Sequence, residues 1–151
     1  MTTIAYRDGI VAADSQETFG DGRIGFCKKL YKVKDTVIAT AGDSYTGLMF
    51  VDWFERGARM EDAPDLSMVT ADEDFECLVL EDTETIYTIN RFFQKYYIEM
   101  PDNYYAIGWG ANYALVAMDV GDLSAKEAVK VAAKYDAYTG GKITTMKVSE
   151  S

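Results

Sequence analysis

The chain opens on short apolar runs separated by Gly- and Asp-containing turns, and this punctuation constrains its fold more than any other feature. Thr2-Thr3-Ile4-Ala5-Tyr6 and Ile10-Val11-Ala12-Ala13 read as two short buried strands joined by Arg7-Asp8-Gly9, with Asp14 closing the second. Residues 20–25 are glycine-rich and turn-like. Leu30-Tyr31-Lys32-Val33 alternates, Lys34-Asp35-Thr36 turns, and Val37-Ile38-Ala39-Thr40-Ala41 forms another strand ending at Gly42-Asp43. From 44 to 56 the pattern becomes helical, with Leu48, Met49, Val51, Trp53 and Phe54 apolar and Gly57 as a stop.

Residues 58–74 are acidic and irregular. A second β series follows at 75–80, 85–89, 96–100 and 104–108, with a turn at 81–84. The apolar stretch 111–120 reads as a buried helix. Ser124-Ala125-Lys126-Glu127 matches a capping box, in which serine and glutamate each satisfy an otherwise unpaired backbone amide. Ala125, Ala128, Val129, Ala132 and Tyr135 then share one helical face. Tyr138-Thr139-Gly140-Gly141 turns the chain, and 143–148 is a final strand. Strands, helix, strands, two helices and a strand predict an α+β fold, with two mainly antiparallel sheets and helices outside them. No linker, repeat or low-complexity tract interrupts the 151 residues, so one domain over 1–151 is expected.

The composition bounds the chemistry. The sequence holds no histidine, so a Ser-His-Asp or Cys-His device is excluded within the chain, as is any zinc site that needs His. The base of a hydrolase would have to be a carboxylate, a lysine or a terminal amine. A net charge of −10 repels phosphate backbones and anionic membrane surfaces, so neither nucleic acid nor membrane is an expected partner. No apolar run approaches the roughly 20 residues that span a bilayer, and the start becomes charged too early for a signal peptide. Cys27 and Cys77 form no CxxC motif and read as free thiols suited to a reducing cytoplasm.

Several residues could carry chemistry. Methionine is usually trimmed before a small residue, which would leave Thr2 with a free α-amine. Such an amine has a pKa of about 7.7–8.0 and can serve as the base that a threonine hydroxyl needs. Lys29 beside that hydroxyl would lower its pKa, and Asp14 would hold the lysine charged. Gly42 ends a strand before a helix, where backbone amides favour negative charge. Each also has a plain reading: many chains begin Met-Thr, Asp14 and Gly42 suit turns, Lys28 and Lys29 suit a solvated strand, and 136–141 suits a helix stop.

Together the segments resemble the proteasome β-type family and its HslV-type bacterial relatives. Thr2-Thr3-Ile4 is similar to the family's exposed threonine start, Ala12-Ala13-Asp14-Ser15 to its Ala/Gly-x-Asp-Ser/Gly segment, and Cys27-Lys28-Lys29-Leu30 to Val-Lys-Lys-Val. Ala41-Gly42-Asp43, Ala106-Ile107-Gly108-Trp109-Gly110 and Asp136-Ala137-Tyr138-Thr139-Gly140-Gly141 resemble Ala-Gly-Gly or Ser-Gly-Asp, Ala-Ile-Gly-Ser-Gly and Asp-Ala-Tyr-Ser-Gly-Gly. The similarity runs over nearly the whole chain in the right order, and its length also resembles stand-alone bacterial and phage proteins of this type.

The resemblance implies an N-terminal-nucleophile (Ntn) hydrolase, a four-layer αββα sandwich. It implies a threonine-type peptidase or amidohydrolase with Thr2 as nucleophile and base, tuned by Asp14 and Lys29. The Gly42 amide would bind the oxyanion, and Asp136 with Thr139 would support the threonine amine. Glu17, Cys27, Thr40 and Ser44 would line the pocket for the residue before the scissile bond, with Glu17 pointing to basic side chains. No cofactor is implied. The partners would be a peptide or unfolded-protein substrate and further copies in a homo-oligomeric ring; an ATP-dependent unfoldase could feed it, and the sequence specifies none. One departure stands out: Trp109 replaces the family serine, and an indole has one donor and no acceptor, so it cannot relay a proton as a hydroxyl does. The segment 58–74 is also short and acidic for the family's second long helix. The alternatives are a catalytically inactive, proteasome-like assembly or interaction protein, and an amidase acting on a small molecule.

Overall fold

The computed structural model describes residues 2–66 and 75–151. The expectations placed on Met1 and on 67–74 lie outside the described residues.

Strands β1 (Thr3–Arg7) and β2 (Ile10–Ala13) form the first hairpin. Asp8 and Gly9 both take positive φ, 48° and 86°, which matches the right-handed twist of the flanking strands. Strands β3 (Gln16–Thr18) and β4 (Ile24–Phe26) pair as a small separate hairpin. The sequence reading took 20–25 as a turn and missed this second strand. Ile24 and Phe26 are exposed, so β4 has no buried face to betray it.

Strands β5 (Leu30–Val33) and β6 (Thr36–Gly42) lead into helix α1 (Ser44–Glu55), and a 3₁₀ turn follows at Met60–Asp62. Strands β7 (Phe75–Leu80), β8 (Ile86–Asn90) and β9 (Lys95–Tyr97) complete a five-stranded antiparallel sheet ordered β5-β6-β7-β8-β9. The last of these starts at Lys95 and stops short of the expected 96–100, because all three of its residues are exposed and no alternation marks it. Strand β10 (Tyr104–Gly108) precedes helices α2 (Ala111–Asp119) and α3 (Ala125–Tyr135), and β11 (Thr144–Lys147) closes a second antiparallel sheet ordered β10-β1-β2-β11.

Burial periodicity stacks these parts into four layers. Ile4, Tyr6, Val11 and Ile107 of one sheet meet Val37, Ala39, Leu78 and Leu80 of the other. The opposite face of the first sheet, with Ala5, Ala12 and Ala106, packs on Ala114, Met118, Ala128 and Val129 of α2 and α3. The outer face of the second sheet, with Ile38, Cys77, Val79 and Ile89, packs on Phe50, Val51 and Trp53 of α1. This is an αββα sandwich, as expected. Strand residues of period two feed the two faces of each sheet alternately.

Caps fix the helices. Asp43 accepts from the Thr46 amide at 3.0 Å to start α1, and Gly57 at φ 103° ends it. Ser124 and Glu127 form the expected reciprocal box at the start of α3. Two expectations need correction. Helix α2 is not buried throughout: Ala114, Ala117 and Met118 face inward while Val116 and Val120 face solvent. Tyr135 leaves the inner face of α3, is 68% exposed, and stacks on Tyr113 with ring centroids 5.7 Å apart. Among the described residues no helix is long and apolar enough to cross a membrane.

Candidate active site

Strand ends from both sheets converge at one place. Thr2 lies immediately before β1 and is 3% exposed. Asp14 follows β2, Lys29 precedes β5, and Gly42 ends β6. Antiparallel pairing brings these ends together because each strand starts or stops at the same rim of the sandwich.

Lys29 and Asp14 are both buried, with Nζ 2.8 Å from Asp14 Oδ1. The ammonium also donates to the Gln16 carbonyl at 2.6 Å. Asp14 is saturated further: its Oδ1 accepts from the Thr3 amide at 3.1 Å and its Oδ2 from the Gly140 amide at 3.0 Å. A buried ion pair is tolerated only when hydrogen bonds satisfy its remaining lone pairs, and this one meets that condition. Its carboxylate thereby ties β1 to the loop after α3.

That loop contributes a second set of groups. The Thr139 hydroxyl donates to Asp136 Oδ2 at 2.6 Å and lies 2.7 Å from Thr3 Oγ1. Because an ionised carboxylate only accepts, the proton order runs Thr3 to Thr139 to Asp136. Thr3 is therefore bound at every polar group: its amide to Asp14, its carbonyl by the Asp14 amide at 3.2 Å, and its hydroxyl to Thr139. Sequence reasoning did not single out Thr3, although the Thr-Thr doublet held it. It also passed over Gln16 and Gly140, which bind through backbone atoms that no side-chain type signals.

Two glycines permit the closeness. A Cβ on Gly108, at φ 96°, would sit 1.9 Å from the Thr2 carbonyl oxygen. A Cβ on Gly110 would sit 2.0 Å from Thr3 Oγ1. The indole between them turns outward. Trp109 is 61% exposed and packs edge-on against Tyr138 with centroids 5.5 Å apart.

A cavity of about 90 Å³ opens beside Thr2 and is lined also by Cys27, Lys29, Thr40, Gly42 and Ser44. Glu17 meets this cavity through Ser44, whose hydroxyl donates to its carboxylate. Burial pushes the Cys27 thiol above its usual range; the Lys29 ammonium opposes this and the Glu17 carboxylate adds to it. All ten residues expected at the site thus fall into two connected clusters, one around Lys29 and the cavity and one around Asp136 and Thr139. Among the described residues no three His, Cys, Asp or Glu side chains converge as a metal set.

No protein-family model matches the chain, and no curated protein sequence does. Solved structures do. The chain is similar to HslV from Trypanosoma brucei at a TM-score of 0.73 and 18% identity, covering 98% of this chain and 99% of that one. It is similar to BPH from Thiobacillus denitrificans at a TM-score of 0.69 and 20% identity, covering 99% of this chain and 100% of that one. The same BPH in complex with epoxomicin matches at 0.69 and 20%, over 97% and 99%.

The chain has the HslV-type fold.

The HslV-type likeness extends over almost all of each compared chain. The αββα sandwich expected from the sequence is thus the observed one.

Proposed function

We propose that this chain is a threonine-type endopeptidase or amidohydrolase in which Thr2, released by removal of Met1, is both nucleophile and base. The observation that carries the reading is the buried Lys29 ammonium, held by Asp14 and Gln16 and lining the same cavity as Thr2. An ammonium has three donors. Asp14 and Gln16 take two, and the third is assigned to Thr2 Oγ, whose ionisation it favours.

The reaction then runs with few parts. The neutral α-amine takes the Oγ proton as Oγ bonds to the substrate carbonyl carbon. The carbonyl π pair moves to oxygen, and the Gly42 amide holds the oxyanion. The resulting ammonium returns its proton to the leaving nitrogen, the C–N bond breaks, and an ester to Thr2 remains. Water attacks that ester, giving its proton to the amine; the C–O bond breaks and Oγ is reprotonated. Asp136 and Thr139, acting through Thr3, hold the terminal residue in place.

The cavity with Cys27, Thr40 and Ser44, backed by Glu17, receives the side chain on the acyl side of the bond. Substrates are peptides or unfolded segments, and copies of the chain assemble as a homo-oligomer, with a ring in keeping with the HslV-type fold. An ATPase that unfolds substrates would deliver them. The test uses epoxomicin, with which the Thiobacillus denitrificans protein was solved. Covalent labelling of the protein, lost in Thr2→Ala, supports the reading; labelling unchanged in Thr2→Ala contradicts it.

A further inference from the structure

A second and larger space meets the site from the other side of Gly42. This groove, of about 520 Å³, is lined by Gly42, Phe75, Glu76, Asn90, Gly108 and Trp109. The small cavity beside Thr2 draws on residues at the β5 side of β6, whereas the groove draws on β7 and β8. Because β6 lies between β5 and β7 in the sheet, the two spaces diverge from Gly42. The groove is the open end of the layer between the sheets.

Its chemistry departs from that layer. Along β7, Leu78 and Leu80 enter the apolar layer between the sheets. Period two puts Glu76 on the same face, so a carboxylate stands where the pattern calls for an apolar residue. Asn90, its partner across the ladder, is committed to the turn before β9, where its Oδ1 accepts from the Phe92 and Gln94 amides, so the carboxylate is the group that distinguishes this wall. Opposite them stands Trp109, whose exposed indole takes the place of a small residue expected there. An aromatic face together with a carboxylate is a site for an organic cation, attracted by the ring's quadrupole and by the negative charge. The chain's net charge of −10 draws such ligands in from solution.

We infer that this groove is the leaving-group subsite and selects a lysine or arginine side chain on the far side of the scissile bond. The inference rests on the Thr2 hydrolase reading. A carbonyl held between Thr2 Oγ and the Gly42 amide sends its two substituents into the two spaces that diverge there. The acyl side chain enters the cavity of about 90 Å³ beside Thr2, which leaves the larger groove for the amine half. The amine half enters the groove past Gly108, whose missing Cβ lets the end of β10 pack against the Thr2 carbonyl.

The experiment separates binding from chemistry. The Thr2→Ala protein is titrated calorimetrically with Lys-Ala-amide and with Leu-Ala-amide, which mimic amine-side products. The lysine ligand binds about tenfold more tightly, and Trp109→Ala or Glu76→Gln each erases most of that preference. Equal affinities, or a preference unchanged in both variants, overturn the inference; the latter would reduce it to attraction by the overall charge. Cleavage by the unaltered protein is followed in parallel with peptides differing only after the scissile bond. Thr2-dependent cleavage that is indifferent to lysine there overturns the inference alone. A lysine preference in binding without cleavage of any peptide overturns the hydrolase reading while the cation site stands.

Discussion

Lys29 Nζ donates to Asp14 Oδ1 across 2.8 Å, and the same carboxylate oxygen accepts the amide of Thr3. One buried charge pair thus fixes both the ammonium and the strand that carries Thr2. Its two partners sit at 5% and 0% side-chain exposure, so bulk salt screens it little. Stability and the proposed chemistry are coupled at this point.

Removing one partner leaves a buried charge without its counter-ion. Lys29→Met is expected to lower unfolding free energy by roughly 3–5 kcal/mol, measured by urea denaturation. The double variant Lys29→Met, Asp14→Leu should recover much of that loss, since replacing both ions with apolar groups is often neutral. Neither variant should be labelled covalently by epoxomicin.

In the proposed reaction Thr3 is a positioning residue, and its hydroxyl can be removed without changing shape. Thr3→Val keeps the volume and leaves Thr139 bonded to Asp136. Stability should change by less than about 1.5 kcal/mol, while the acylation rate falls on the order of tenfold with KM little altered. Thr3→Ser should restore the rate. A purely structural role would show no such rescue.

Gly110 tests the packing around that hydroxyl. Its φ is −90°, so backbone freedom is not the reason for glycine here. The reason is space, because an added Cβ would meet Thr3 Oγ1 at 2.0 Å and Thr139 Oγ1 at 3.1 Å. Gly110→Ala should cost roughly 1–3 kcal/mol by overpacking and slow acylation further than Thr3→Val does.

Much of this architecture was readable in the residues. The capping box at Ser124 and Glu127 is local, and a local signal survives any tertiary context. The pairing of Lys29 with Asp14, fifteen residues apart, is not spelled out by spacing and was reached through resemblance to the proteasome β-type family. The strand Ile24–Phe26 escaped because it buries no face, and Val120 misled because an apolar side chain on a helix end stays in water. Thr3 escaped for another reason: its neighbour Thr2 carries the same side chain and drew the chemical argument. The orientation of Trp109 was not legible in the residues; the contact with Tyr138 shows its indole turned outward.

The cap of α3 gives a pH dependence with a definite sign. Hydrogen bonds from the Ser124 amide and then its hydroxyl, helped by Lys130, hold the Glu127 carboxyl below the usual carboxylate range. A depressed pKa contributes stability above the unfolded value of about 4.3 and loses it as pH falls through the folded value. Near pH 7 the protein should melt at a higher temperature than Glu127→Gln. That gap should begin to narrow as the pH enters the ordinary carboxylate range and close only below it, read by circular dichroism. Helix α3 carries Asp136 at its end, so the same variant should leave the site's geometry intact at neutral pH.

The most direct measurement is the intact mass of the purified protein before and after exposure to epoxomicin. The account predicts a chain lacking Met1 that gains one inhibitor mass, with the adduct mapping to Thr2. A chain that keeps Met1 in full and gains no mass would contradict it.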